Sequence, residues 1–429
     1  MKNPRTSFPL RWIADIAIVI YTIGFLFFRI GELVPLTSIY PTHLAAAFLG
    51  TCVLQASRSV SHVSKRLAHL ASLLMLIYVM DSYAPTPVPP VSYVKSAGGP
   101  KTIVITGANS GVGYETARQL AVTYGMDVIM ACRSKAKCAK ASDAISAEIA
   151  SSRTPFGGTA TPYALDLANF DSVASFANQL TEKQLPIDVL FNNAGFVPAA
   201  NLPVNEYGFD PGFTSMHLSH FLLTELLLKS NPSMRVVNTS SGTHHLCAIR
   251  FAFVPQPLLQ RLSRQQNPGC VDEDFLQNGI RSPTDNSAYI QSKVANVMHA
   301  SEIPRVHEQS TAVAIDLGWV GTSIQSFMTG SLTPASVGWM RSADVGVLPV
   351  LHAVLTEKDS LIDALGRKGG WAEGGVIMNV HGRVEEPFSA YYWTSNGISG
   401  YDVGKERMKY LSELLWRTSR EIFEQRGFL

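Results

Sequence analysis

The stretch Thr102–Gly113 reads TIVITGANSGVG. Its first half, Thr102 to Thr106, is a mostly β-branched run that suits a buried strand of a parallel sheet. Its second half breaks into Gly107, Gly111 and Gly113, and Tyr114–Tyr124 follows with helical character. Strand, glycine turn and helix in that order open a dinucleotide-binding βαβ unit. The reasons are steric and electrostatic. A pyrophosphate must approach the backbone closely, so Cβ atoms are unwelcome at the turn. The helix N-terminus then offers N–H groups and the positive end of a dipole.

Beyond this unit the chain alternates strand and helix. Asp127–Ala131 (DVIMA) reads as the second strand. An acidic residue near the end of that strand would bond the ribose hydroxyls of NAD, whereas an arginine accommodates a 2′-phosphate. Cys132 and Arg133 stand there with no carboxylate, which favours NADP(H); a solvated surface arginine is the alternative. Lys135–Ser151 reads as a helix. Pro162–Leu167 reads as a third strand with Asp166 near its end, where a carboxylate either caps a turn or meets an adenine amino group. Asp171–Leu180 reads as helix, and Ile187–Phe191 as a fourth strand closed by Asn192, Asn193, Ala194 and Gly195. Small and amide residues there let the sheet edge meet a ribose without a clash. Leu218–Leu228 has the apolar spacing of a core helix, and Arg235–Thr239 reads as a fifth strand ending in Ser240 and Ser241.

Tyr289 and Lys293 follow at i and i+4, which places both on one face if the segment is helical. An ammonium beside a phenol favours the phenolate and lowers a pKa that starts near about 10. Such a tyrosine can exchange a proton with an alcohol or a carbonyl near neutral pH. Ser241, at a strand end, could hydrogen-bond the same oxygen.

Taken in order, these residues resemble the short-chain dehydrogenase/reductase superfamily, in its classical type and its retinol-dehydrogenase-like branch. The resemblance rests on Thr106–Gly113, Ala131–Ser134, Leu165–Leu167, Asn192–Gly195, Ser240–Ser241 and Tyr289 with Lys293, and runs from about Lys101 to Thr322. It implies an α/β fold, a doubly wound parallel sheet (Rossmann fold), and an NADP(H)-dependent oxidoreductase. It implies Tyr289 as proton donor or acceptor, Lys293 as its partner and ribose ligand, and Ser241 as the group orienting the substrate oxygen. Cofactor contacts are implied at Gly107, Asn109, Ser110, Gly111, Val112, Gly113, Arg133, Asp166, Leu167, Asn193, Ala194, Gly195, Tyr289, Lys293, Val320 and Thr322. Of these, Thr322 would meet the nicotinamide amide.

Three departures stand out. Met216 occupies the position of an asparagine that, in the family, completes a water-linked proton relay to the lysine. Leu317 replaces the proline of the nicotinamide loop. The connection Gly242–Asn286 is longer than usual, and is either part of a substrate-covering region or a surface excursion. Its neighbouring His244 and His245 point opposite ways on an extended segment, so no metal is expected. The five cysteines are odd in number and form no CxxC, which argues against a disulfide framework and a structural zinc.

The chain has 429 residues, with 46% apolar and only 16% charged, and the first hundred residues explain that imbalance. Ile16–Phe28, Leu36–Ala56 and Leu67–Met80 are uncharged runs, and the middle one is long enough to span a bilayer core of ~30 Å. A cleaved signal peptide followed by core helices is the competing reading, but no A-x-A-like site follows Phe28. The expectation is a membrane anchor of two or three transmembrane helices over residues 1–84, a proline-rich linker over 85–100, and the catalytic domain over 101–429. Three spans place that domain across the membrane from the cytosol and two return it to the cytosol. The expected compartment is the endoplasmic reticulum membrane, with the side left open. The expected partners are a lipophilic small-molecule substrate and the lipid bilayer, with a homodimer left open. A net charge of +2 makes no case for nucleic acid. A non-catalytic NADP-binding membrane protein is the alternative to an enzyme.

Overall fold

Strand β1 (Thr102–Thr106) is buried on both faces, as its composition predicts: Ile103, Val104 and Ile105 are wholly inaccessible to solvent. Successive side chains alternate between two cores. Val104 joins Ile129, Leu190 and Val236 on one face of the sheet, while Ile103 and Ile105 join Val128, Met130, Val189 and Phe191 on the other. The computed structural model describes residues 88, 91, 101–152, 157–199, 201–241, 271–282, 284, 288–318, 320–322, 342–357, 361, 377–378, 384–385, 393–394, 397–398 and 401–429. The three apolar N-terminal runs lie outside these residues. Among the described residues, no helix is long and apolar enough to cross a membrane.

From β1 the chain passes through α1 (Gly111–Val122), β2 (Asp127–Cys132), α2 (Lys135–Ser151), β3 (Thr159–Ala164), α3 (Phe170–Glu182) and β4 (Val189–Asn192). A helical run follows, made of Pro211–Phe213, a π-helical turn Thr214–Leu218 and α4 (Ser219–Ser230). Next come β5 (Arg235–Thr239), the short helix Glu273–Gln277, α5 (Ala288–Val306) and β6 (Thr311–Ile315). The remainder is α6 (Leu348–Leu355), β7 (Ile377–Met378), β8 (Val384–Glu385) and the terminal helix α7 (Tyr401–Glu424), with the hairpin pair Trp393–Thr394 and Gly397–Ile398 before it. The sheet order is β3-β2-β1-β4-β5-β6-β7-β8, parallel throughout except for the last pair. The winding direction reverses between β1 and β4. A crevice therefore opens above their carboxyl ends, where a doubly wound sheet binds its ligand.

Several sequence expectations need adjustment. α1 begins at Gly111, because Gly111 and Gly113 lie within its first turn. β3 starts and ends three residues earlier than expected, so Leu165, Asp166 and Leu167 lie beyond it. The amides of Thr159 and Leu165 donate to Met126 and Cys132 of the β2 side. Odd-numbered amides thus face β2, and the missing N–H of Pro162 falls on the open edge, where a strand tolerates proline. Cys132 and Cys138 form a disulfide, contrary to the reading of the cysteine count. The count misled because the pair is made by the turn itself: β2 ends at one cysteine and the first turn of α2 brings back the other. Residues 242–270, which include His244 and His245, lie outside the described part. In the described part of that long connection, Val271, Phe275, Leu276 and Ile280 are buried in the first core, so this portion is no surface excursion. α7 places Leu411, Leu415, Trp416, Ile422 and Phe423 in the same core, a contribution that no motif announced.

Candidate active site

The carboxyl edge of the sheet collects the sequence-predicted residues in a row. Gly107 takes φ +66°, and its amide donates to Ala131 at 2.8 Å, so the glycine turn leans towards the end of β2. A Cβ on Gly113 would lie 2.5 Å from the Gly107 carbonyl oxygen and 2.6 Å from the Asn193 side chain. Only hydrogen fits there, so the start of α1 packs directly against the glycine turn and the loop after β4. A turn without Cβ atoms, followed by a helix N-terminus, is the arrangement that lets a pyrophosphate approach the backbone. Asn109 and Val112 are half-buried, Ser110 is exposed, and the first turn of α1 carries no acidic side chain. Thr322 lies beside this loop, its Cβ and Cγ2 at 3.4 Å from where a Gly111 Cβ would be. Val320 is buried against Gly346, the last residue of the short helix Ala343–Gly346.

Arg133 is exposed just past β2, in the turn that the Cys132–Cys138 bridge closes and in which Ser134 caps α2. Asp166 does cap a turn: its Oδ1 accepts from the Ala168 amide at 3.0 Å. Leu167 is buried in the first core, and its carbonyl accepts from Ser219 Oγ at 2.6 Å. Val320 is in the same position: its side chain is buried and its carbonyl accepts from the Thr322 amide at 2.8 Å.

Across the crevice, Ser241, Tyr289 and Lys293 converge. Tyr289 sits in the first turn of α5 and Lys293 one turn on, with Nζ 5.3 Å from the Tyr289 ring centroid. Ser241 hydrogen-bonds the Tyr289 hydroxyl. Lys293 Nζ donates to the Thr239 carbonyl at 3.2 Å, and Asn296 Nδ2 donates to the same oxygen at 2.9 Å. Ser240 Oγ donates to the Lys293 carbonyl at 2.9 Å, which ties the helix to the end of β5. Gly195 leaves the space that brings these parts together. A Cβ there would lie 3.5 Å from Lys293 Nζ and 3.7 Å from Met216 Sδ.

The electrostatics reverse one expectation. The Tyr289 hydroxyl is pushed above its ordinary value, first by burial; its Ser241 hydrogen bond opposes this and the Asp316 carboxylate adds to it. Lys293 is itself pushed down to about 8 by burial, partly opposed by Asp316. Desolvation, which disfavours the charge of either group, is the first cause at both residues, and so the phenol lies above its ordinary value with the ammonium one helical turn away.

The family described as short chain dehydrogenase matches residues 101–252. Human retinol dehydrogenase 13 is 30% identical over 281 residues, covering 62% of this chain and 75% of that protein. The chain belongs to the short-chain dehydrogenases. Bovine retinol dehydrogenase 12 places it in the retinol-dehydrogenase-like branch, at 31% identity over 264 residues, covering 60% of this chain and 74% of that protein. Barley protochlorophyllide reductase A is also similar, at 32% over 287 residues, covering 62% of this chain and 67% of that protein. The chain is thus an oxidoreductase of a family that uses a nicotinamide cofactor.

In this dehydrogenase, four residues support the site in roles that the sequence did not assign to them. Thr106 Oγ1 receives the amides of Asn193 and Ala194 at 2.9 Å each. Ser240 anchors α5, Asn296 shares the carbonyl of Thr239 with Lys293, and His220 lies against Thr106. Asn296 carried a legible signal, since it stands three residues after Lys293 and so shares its helix face. The others bond across strands and loops distant in sequence, and no spacing rule reaches them.

Proposed function

We propose that this protein is a membrane-anchored NADP(H)-dependent oxidoreductase that interconverts a lipophilic alcohol and its ketone or aldehyde. Retinoid, steroid, terpenoid and polyketide intermediates are the substrate classes that fit. The observation that carries the reading is the meeting of Ser241, Tyr289 and Lys293 at the same sheet edge as the glycine turn. The cofactor supplies or accepts the hydride. Tyr289 holds its proton at neutral pH and presents it to the reacting oxygen, so the site is set for carbonyl reduction. Ser241 shares that oxygen and orients it. Lys293 is largely protonated at pH 7 and can hold ribose hydroxyls. Gly107–Gly113, Asn193, Ala194, Gly195, Val320 and Thr322 line the path of the cofactor, and Asp166 stands where an adenine would end. The apolar runs before Pro85 motivate a lipophilic substrate, since such a molecule concentrates in the bilayer where the enzyme would sit.

A screen of hydrophobic carbonyls, following NADPH oxidation by the full-length protein, tests the reading. Turnover of any of them supports it. NADPH binding with no turnover on any carbonyl or alcohol would favour the non-catalytic binder, a reading that buried Met216 beside Lys293 motivates.

Arg133 is the selectivity residue in this proposal. Arg133→Asp should weaken NADPH binding by about ten- to a hundredfold, the scale of a charge-assisted hydrogen bond, while NADH binding holds or improves. Titrating both cofactors by nicotinamide fluorescence checks this; equal loss for both would mean that Arg133 supports the fold instead.

The position of Lys293 implies a pH dependence. Its value of about 8 lies below that of an ordinary lysine, so the ammonium is present below pH 8 and is lost as pH rises through it. NADPH affinity should therefore fall between about pH 7 and pH 9. A lysine at its ordinary value would give a flat profile over this range, and a flat profile would remove Lys293 as ribose ligand.

A further inference from the structure

We propose that His220 is a positioning residue that holds the loop after β4, the start of the glycine turn and the π-helical turn before α4 in register through a single tautomer. The proposal rests on the NADP(H) reading for its functional consequence and on hydrogen bonds for its geometry.

His220 lies in the first turn of α4, directly after the π-helical turn, and is buried. Its Nδ1 is 3.1 Å from the Met216 carbonyl oxygen, and its Nε2 is 2.9 Å from Thr106 Oγ1. A carbonyl only accepts, so Nδ1 must carry a proton. Burial pushes the imidazole down to about 4, helped by the Lys293 charge and opposed by the Met216 carbonyl, so the ring is neutral at pH 7. Nε2 is then an acceptor, and the Thr106 hydroxyl donates to it at 2.9 Å in preference to the Phe191 carbonyl at 3.5 Å. Thr106 Oγ1 is left to accept, and it does so twice, from the amides of Asn193 and Ala194. The direction of every bond follows from one proton on one nitrogen.

The parts joined are those of the site. Asn193 and Ala194 belong to the loop closing on the glycine turn, where a Gly107 Cβ would meet Ala194 Cα at 3.1 Å. Met216 lies in the π-helical turn, a distortion frequent at functional sites, with its sulfur against Gly195, which Lys293 Nζ also approaches. Its thioether cannot donate and accepts only weakly, so its carbonyl is the strong polar group at that position. His220 fixes that carbonyl. The chain ends on an atom that cannot pass a proton onward, so it positions the site and does not relay protons. The ionisable groups near the ring are Lys293, His217 and His299, and burial holds both neighbouring imidazoles well below their ordinary value.

Two measurements on the full chain test this. The first is nitrogen NMR on protein labelled at histidine, with the His220 signal identified by its loss in His220→Phe. The expected signature is a neutral ring protonated at Nδ1 and unchanged from pH 5 to pH 8. A ring protonated at Nε2, or one titrating in that range, overturns the proposal. The second is NADPH affinity in a double-mutant cycle. His220→Phe and Thr106→Val should each weaken binding about tenfold, and the double variant should be no worse than either alone. Thr106→Ser, which keeps the hydroxyl, should lose less than Thr106→Val. Independent, multiplying losses overturn the proposal. If the wild type binds no NADPH, the functional reading fails, and the NMR measurement, made without cofactor, still decides the role of His220.

Discussion

Tyr289→Phe should lower turnover by roughly 10²–10⁴-fold, the range for removing a positioned general acid, with NADPH affinity nearly intact. The substitution keeps the ring and deletes only the hydroxyl that Ser241 holds by a hydrogen bond. Lys293 keeps its bond to the Thr239 carbonyl, so the cofactor side of the site is undisturbed. The loss should therefore appear in kcat and not in cofactor binding, and no pH should restore it. Steady-state kinetics on any carbonyl found by the NADPH screen, together with a fluorescence titration of cofactor, separates the two quantities. A variant that keeps most of its turnover would remove Tyr289 as the proton donor and with it the proposed mechanism.

Arg235→Met should destabilise the fold by about 3 kcal/mol or more, without touching the site directly. Arg235 opens β5 and is buried, yet it lies within the second core's reach of α6. Its Nη1 stands 2.8 Å from the carbonyls of Ala353, Val354 and Thr356 at the end of that helix. A cation there satisfies carbonyls that the helix cannot bond itself and opposes the negative end of the dipole. Burial lowers the guanidinium to about 10, which still leaves it charged at neutral pH. Methionine replaces the stem but leaves the carbonyls buried without that donor, and hydrogen bonds to charged groups are worth about 1.5–3 kcal/mol each, not additively. The thermal midpoint should drop by roughly 6–12 °C. Unfolding followed by circular dichroism measures it, and a drop of a degree or less would show that these carbonyls find other partners.

How far the sequence was legible depended on the range of each interaction. The glycine loop, Asn193 to Gly195, Ser241, Tyr289 and Lys293 could be read because each follows from local chemistry. A turn that admits no Cβ, a strand end with small residues and an i, i+4 pair on a helix all lie within a few residues of chain. β1 and β5 were placed to the residue because runs such as Ile103–Ile105 and Val236–Val237 suit burial on both faces. β3 slipped because Pro162 reads as a strand start, and only the edge position of β3 lets proline stand inside it.

Local residue chemistry by itself determined the doubly wound α/β core, the order of its parts and which side chains were candidates for the site. Tertiary structure alone decided their state. The Tyr289 hydroxyl lies above its ordinary value, and not below it, because desolvation is a sum over everything packed around a group, which spacing along the chain does not contain. The Cys132–Cys138 bridge, the capping of α6 by Arg235 and the placing of α7 in the core depend on elements far apart in sequence meeting in space or on the direction of a turn. The chain from Asn193 through Thr106 and His220 to Met216 is of the same kind: it joins β1, the end of β4 and α4, and its direction is set by the Met216 carbonyl, which fixes the proton on Nδ1, and by burial, which keeps Nε2 unprotonated.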